Sequence, residues 1–489
     1  MRIVIVGGGT SGWMTAAAFC KTFPTWDITL INGGDAIGVG ESTTPHINQY
    51  LSYMGITDDV FLPAARATFK SSSRFDGFVK EGEVFHYPNG QSVIQTVKFQ
   101  EWMLAKAFHP DNLPPFSEVF MPFVTVAESG RLPLNRDILE PYDLAKDRSF
   151  HINGAAFSTF LRETFCQNLK VVDSKVKSVA TKGRDIEHVL VTGGPHTQGA
   201  EKIFGDLFID CSGQQAVLSG SLSKWKPFSS IINDRALVVK TDYTNREEEM
   251  VPYTNAKAMS AGWQWTIPTY DFISRGYVFS SQFQSEDDAR KEFGYDDARL
   301  ISFENGRHER AWTANCVSIG LSFGFIEPLE STSLFNTHHG ILALMDLLQE
   351  GSLPGQFQRD RFNHNLAEHM DGWREFVEAH YYYSRRRDTP YWNHISNGIE
   401  YDLTGTHEVI QYIMNGNEPI THGGTPVLHI LAGSGYTTVN KRLTEYFRYP
   451  ELVTRRKVDE WAYKHQRVLE YAETCPPMSV FLESTFNYT

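Results

Sequence analysis

The sequence predicts an α/β protein, with a Rossmann-like nucleotide-binding lobe built from separated chain segments and a largely helical C-terminal lobe. Three observations carry this. A β-branched run, Ile3 to Val6, stops at a glycine-rich turn and leads into a helical pattern. Two further apolar strands, Leu207 to Ile209 and Val317 to Ile319, also run into glycine-containing loops, as parallel strands do where their ends face a ligand. Beyond Gly355 the pattern turns helical.

Each element follows from local chemistry. Ile3-Val4-Ile5-Val6 is an unbroken apolar run, as expected of a strand buried on both faces. A helix from about Ser11 to Phe23 ends before Pro24, because proline lacks an N–H and clashes with the preceding turn. Ile28 to Ile31 is the next strand and completes a βαβ unit. Ala236 to Lys240 and Trp263 to Ile267 have β character. Helices are predicted over Thr332 to Leu348 and Phe362 to Tyr383, the second being the longest. The implied organisation is a discontinuous nucleotide lobe within 1–350 (mainly 1–90, 150–220 and 300–350), a β-rich insertion at 220–300, and a helical lobe at 351–489.

Bulk properties narrow the class. At 489 residues the chain exceeds the roughly 250–300 residues at which a single core stops growing. A net charge of −13 argues against a nucleic-acid partner, since phosphate backbones are bound by clustered Lys and Arg. The five cysteines are scattered, with no CxxC pair, so neither a disulfide framework nor a metal site is expected. His338-His339 are adjacent and so point in different directions on a helix, which excludes them as a ligand pair. No run is long enough to span a membrane and the N-terminus lacks a signal-peptide pattern, so a cytoplasmic enzyme is expected.

Gly7-Gly8-Gly9-Thr10-Ser11-Gly12 satisfies GxGxxG through Gly7, Gly9 and Gly12. Between a strand and a helix, such glycines allow close backbone approach to a pyrophosphate at the helix N-terminus. An acid is expected about 20 residues later for the ribose, but Asn32 stands there. Gly38-Val39-Gly40-Glu41-Ser42 supplies further backbone donors, and Asp210-Cys211-Ser212-Gly213 is a second strand-end turn. Contacts from such distant segments suit an extended FAD.

Several stretches together resemble the flavin-dependent halogenases of the tryptophan-halogenase type. They are Gly7 to Trp13 (GGGTSGW), Gly38 to Ser42 (GVGES), Lys70 in ATFKSSSRF, Asp206 to Gly213 (DLFIDCSG), Gly262 to Pro268 (GWQWTIP), Asn315 to Ser333, and Asp388 to Trp392 (DTPYW). The resemblance implies a flavin-monooxygenase type of FAD lobe and a helical substrate lobe. It also implies a reaction in which a flavin hydroperoxide, formed from FADH2 and oxygen, oxidises a halide to hypohalous acid. That acid reaches Lys70 through a tunnel and halogenates an electron-rich aromatic of indole, tryptophan or phenol type. Reduced FAD would come from a separate flavin reductase, and a homo-oligomer is compatible with the sequence.

By position in the matching motifs, the resemblance assigns catalysis to Lys70, Glu330 and Ser331. It assigns FAD contacts to Gly7, Gly9, Thr10, Ser11, Gly12, Gly40, Glu41, Ser42, Val176, Leu321 and Leu334. It assigns the halide (chloride, bromide or iodide) to Thr332 and Ser333, and the tunnel wall to Trp263, Trp265, Ile267 and Pro268. Taken alone, these residues read differently. Two alternate tryptophans are an aromatic core strand, a single lysine is a surface charge, and Glu330 is an acid favoured at a helix N-terminus. Two competing functions remain open, an aromatic hydroxylase of the same fold and a flavin-binding interaction protein without catalysis.

Overall fold

Val6, Ile31, Asp210 and Ser318 end four neighbouring parallel strands, although the chain reaches them in widely separated stretches. The computed structural model describes residues 1–34, 40–90, 96–132, 147–192, 200–406, 408, 425–435 and 450–488. The parallel sheet runs in the order Trp312–Thr313, Cys316–Ser318, Leu207–Asp210, Arg2–Val6, Asp27–Ile31 and Lys170–Val172, with only the first edge strand antiparallel. The four strands expected from the sequence are its centre. The edge strand Lys170–Val172 has the half-exposed pattern "KVV", too short and too polar in its surroundings to announce itself by periodicity.

The first helix, Thr10–Thr22, packs apolar residues from Gly12 to Phe19 against this sheet. Its N-terminal turn therefore lies at the carboxyl ends of the strands, where open α/β sheets bind ligands. No helix among the described residues is long and apolar enough to cross a membrane.

A seven-stranded sheet draws strands from both 72–88 and 235–302, in the order Arg299–Ser302, Arg235–Thr241, Ile273–Phe279, Gly262–Pro268, Tyr253–Met259, Ser72–Asp76, Val84–Pro88. Its pairs are antiparallel except Tyr253–Met259 with Ser72–Asp76. A small antiparallel sheet lies between the two large ones, with Ser149–Asn153 flanked by Gly40–Ser42 and Thr68–Lys70. The helices Thr332–Leu348 and Gln356–Tyr382 complete the scaffold of the site. The second begins earlier than the predicted Phe362 because its first turn, Gln356-Phe357-Gln358-Arg359, is mostly polar and lacks apolar periodicity.

Candidate active site

The glycine loop is shaped for a bound phosphate. Gly7 has φ +121°, and a Cβ there would meet the Cys211 carbonyl oxygen at 2.2 Å. A Cβ on Gly12 would meet the Gly7 carbonyl oxygen at 1.9 Å, so helix and strand approach more closely than any side chain permits. Gly9 faces open space, with nothing within 4 Å of its would-be Cβ, and it caps the helix without a side-chain partner. Thr10 and Ser11 open the helix beside it. A free helix N-terminus behind a glycine cradle fits a pyrophosphate, so these residues fit FAD.

A carboxylate from elsewhere in the chain stands beside Asn32, where an acid is expected. Asn32 presses its Oδ1 under the loop, where a Cβ on Gly8 would meet it at 1.8 Å. Its amide donates to Asp173 Oδ1 over 2.8 Å. Asp173 follows the edge strand Lys170–Val172, so a carboxylate stands next to the position that lacks one. Asp210 is consumed internally, since its two oxygens accept from Ser212 N and Oγ, Leu218 N, and Ser219 N and Oγ. It staples the turn.

The small sheet links this loop to Lys70. At one edge, Glu41 accepts from Thr10 Oγ1 over 2.8 Å, and burial pushes its carboxyl up to about 6, with Thr10 opposing. Ser42 is buried and shares a 3.0 Å hydrogen bond with Thr254. Gly40 packs against Ser274 and Thr269. Gly38 and Val39 lie outside the described residues. At the other edge the strand ends in Lys70, with Ser149 opposite it on the central strand. Two strand spacings put the edges about 10 Å apart.

Lys70 is 2% exposed. Its ammonium donates to Thr43 O at 3.2 Å and to Ser331 Oγ at 3.1 Å. Burial pulls its pKa down from 10.5 to about 8, and the nearby Glu330 charge opposes the shift. His151, on the central strand, is held well below its ordinary value by burial and by the Lys70 cation. Of this pair, Lys70 therefore carries the positive charge.

Glu330 and Ser331 precede the helix Thr332–Leu348. Ser331 is non-glycine yet left-handed, at φ +59°, a conformation costing about 1–2 kcal/mol for such a residue. The turn aims its hydroxyl at Lys70 instead of at the helix, for it makes no cap hydrogen bond. Thr332 is 1% exposed and its Oγ1 has no hydrogen-bond partner among the described residues. That hydroxyl and the first N–H groups of the helix, those of Thr332 and Ser333, are free for an anion. The same helix docks on the glycine loop through Thr337 Oγ1, 2.9 Å from Ser11 Oγ. From Ser331 to Thr337 the chain rises about 9 Å at helical pitch, matching the separation across the small sheet. Leu334 is buried in this helix, and Leu321 lies in the turn Gly320–Ser322 beside it. Val176 is further off, packed with Val4, Val6 and Ile31 beyond the sheet face.

Trp263 and Trp265 face one side of the strand Gly262–Pro268, both buried, with ring centroids 6.2 Å apart. Ile267 is buried on the same face. Trp265 Nε1 donates to Ser274 Oγ at 3.1 Å, and its indole fills the space that a side chain on Gly276 would take. Trp263 Nε1 donates to Glu327 Oε1 at 3.2 Å. Glu327 also accepts from Asn233 Nδ2 at 2.7 Å and from the Tyr381 hydroxyl. Burial pushes its carboxyl up to about 7, against these donors. Pro268 O accepts from Thr68 Oγ1 at 2.6 Å, joining the end of the tryptophan strand to the Lys70 strand.

A cavity of about 1180 Å³ reaches Lys70 and Glu330; Tyr87, Asn89, Arg148 and Trp373 are among the residues lining it. The tryptophan pair does not line it. Lys70 and Glu330 thus stand at the cavity wall, with Ser331 against Lys70, Thr332 next to it in the chain, and the glycine loop roughly 10 Å behind. A buried cation beside a carboxylate and a free helix N-terminus can hold an anion, donate to a neutral oxidant and accept a proton. Sequence reading passed over Glu327, Asp173 and His380. Glu327 alone carried a signal, since it stands in the EPLEST segment.

The chain matches the family model described as tryptophan halogenase over residues 2–422. It is 32% identical over 429 residues to the tryptophan 6-halogenase SttH of Streptomyces toxytricini, covering 80% of each chain. The apo structure of VirX1 superposes with a TM-score of 0.88 at 32% identity, over 99% of this chain and 98% of that one. BrvH, a flavin-dependent halogenase from Brevundimonas sp. BAL3, gives a TM-score of 0.82 at 28% identity over 99% of each.

Proposed function

Because the chain belongs to the tryptophan halogenase family, of which flavin-dependent halogenases are its structural neighbours, we propose that it halogenates an electron-rich aromatic substrate at Lys70, using FADH2, O2 and a halide. Bound reduced FAD, with oxygen, supplies the two-electron oxidising power that turns a halide into hypohalous acid. Everything else falls to the protein. The observation that carries the reading is the buried Lys70 ammonium held by Ser331 and facing Glu330 on the wall of a large cavity.

Gly7, Gly9, Thr10, Ser11 and Gly12 hold the pyrophosphate, and Gly40, Glu41, Ser42, Leu321 and Leu334 line the rest of the cofactor site, with Val176 packed behind the sheet. The N–H groups of Thr332 and Ser333 and the unpaired Thr332 hydroxyl bind the halide at the helix N-terminus. Trp263, Trp265, Ile267 and Pro268 form a rigid wall between the cofactor and the aromatic, so that only a small oxidant passes. Lys70 donates from its ammonium to the hypohalous oxygen, which makes the halogen more electrophilic. The ring attacks the halogen with the electron pair of one of its double bonds as the oxygen–halogen bond breaks, and the oxygen leaves as water with a proton from the Lys70 ammonium. Glu330 removes the proton from the substituted carbon, and the C–H pair restores aromaticity. Helices beyond Gly355 contribute Trp373 to the cavity and cover the aromatic. A separate flavin reductase supplies FADH2.

The test is a product mass spectrum from L-tryptophan, indole and phenol with FADH2, oxygen and bromide. A bromine isotope doublet supports the reading. Addition of a single oxygen would make the protein a hydroxylase instead.

A further inference from the structure

We propose that His380 is the positioning residue for Glu330, clamping one oxygen of the carboxylate through a buried ion-pair contact so that it does not collapse onto Lys70. The inference rests on the reading of Glu330 given above. His380 Nε2 lies 2.7 Å from Glu330 Oε1, with side-chain exposures of 0% and 1%. The contact has the length of an ion pair, and neither atom has any hydrogen-bond partner among the described residues.

The state of the imidazole follows from its other nitrogen. Nδ1 lies 2.8 Å from the carbonyl oxygen of Phe376, and a carbonyl only accepts, so Nδ1 carries a proton. Were Nε2 bare, its lone pair would face a carboxylate lone pair at 2.7 Å with both side chains buried, a costly arrangement. Nε2 is therefore an N–H, set against Oε1 as a buried ion-pair contact and not as an aligned hydrogen bond. The ring cannot turn away, because Phe75 and Phe376 pack on it at centroid distances of 4.7 and 5.1 Å.

The charges around the pair give the clamp its purpose. Lys70 and Tyr87 face Glu330, while Glu327 faces His380. An unclamped Glu330 carboxylate would be drawn to the Lys70 ammonium and occupy the donor that the oxidant needs. With Oε1 tied to His380, Oε2 is left, among the described residues, with one long contact, from Ser73 Oγ at 3.4 Å. That oxygen is the one available to a substrate proton.

Two variants and one spectrum test this. His380→Phe removes both nitrogens; His380→Gln keeps an N–H that can donate to Glu330. With L-tryptophan, indole and bromide as probes, H380F is expected to lower kcat about 100-fold with KM within about twofold. H380Q is expected to recover to within about tenfold of the parent. In 15N-histidine-labelled protein, the resonance of a protonated His380 Nε2 is expected, lost in H380F and moved in Glu330→Gln. Parental kcat in H380F, or an unprotonated Nε2 in the spectrum, overturns the proposal. If H380F does not fold, H380Q and the parent spectrum decide. If the parent brominates neither probe, the reaction assignment fails, while the resonance still reports on the clamp.

Discussion

Lys70 Nζ and Ser331 Oγ lie 3.1 Å apart, although 261 residues separate them in the chain. The contact exists only because a strand of the small central sheet and the left-handed turn before helix Thr332–Leu348 converge on one buried point. Lys70→Ala is expected to abolish ring halogenation while FADH2 oxidation continues and free hypohalous acid escapes. Product chromatography beside a hypohalite-trapping dye checks this; ring halogenation at the parental rate would remove Lys70 from the mechanism.

Lys70→Met should stabilise the fold while it destroys activity. Because the lysine is brought down from 10.5 to about 8 in the folded protein, the native state binds fewer protons than the unfolded chain between those values. Stability therefore rises with pH across that window, and the charged lysine costs about 3 kcal/mol below it. K70M is expected to melt higher than the parent at pH 7, with the gap closing toward pH 10.5. Differential scanning calorimetry at several pH values measures it.

The same value predicts the pH profile of turnover. A donor ammonium is lost as pH rises through about 8, so kcat for halogenation should fall with an apparent pKa near that value. A rise over the same range would assign the lysine to its neutral amine, attacking halogen directly.

Glu330→Gln keeps the shape of the side chain but cannot take a proton. A loss of kcat of about 10²–10⁴ is expected, the range of general-base catalysis. FAD affinity, measured by fluorescence quenching, should be unchanged.

Asp173→Ala is expected to weaken FAD binding about tenfold, equivalent to about 1.4 kcal/mol, through loss of the carboxylate that Asn32 orients over 2.8 Å. An unchanged dissociation constant would leave Asn32 as the ribose contact by itself.

Much of this architecture was legible from local pattern. Gly7, Gly9 and Gly12 announce a strand-turn-helix because only glycine allows their backbone approach, and that requirement is written in adjacent residues. The distant runs at Leu207 and Val317 proved parallel neighbours in one sheet because fully apolar strands need cover on both faces. The alternate burial of Trp263 and Trp265 followed from strand period. What stayed hidden depends on tertiary docking. His380 reads as one polar residue on a long helix, and only the packing of that helix brings it to Glu330. Asp173 meets Asn32 across 141 residues. Glu327 carries no local mark of burial, though it accepts from Trp263, Asn233 and Tyr381.

The parallel sheet has a consequence for how the chain is made. Strand Cys316–Ser318 is the last of its members to be synthesised, and it covers the flank of Leu207–Asp210. Until the ribosome has delivered it, the nascent nucleotide lobe exposes an unpaired β edge of the sort that seeds aggregation. A fragment ending before residue 316 should need chaperone protection, whereas one extending through the helix Thr332–Leu348 has the first chance to close.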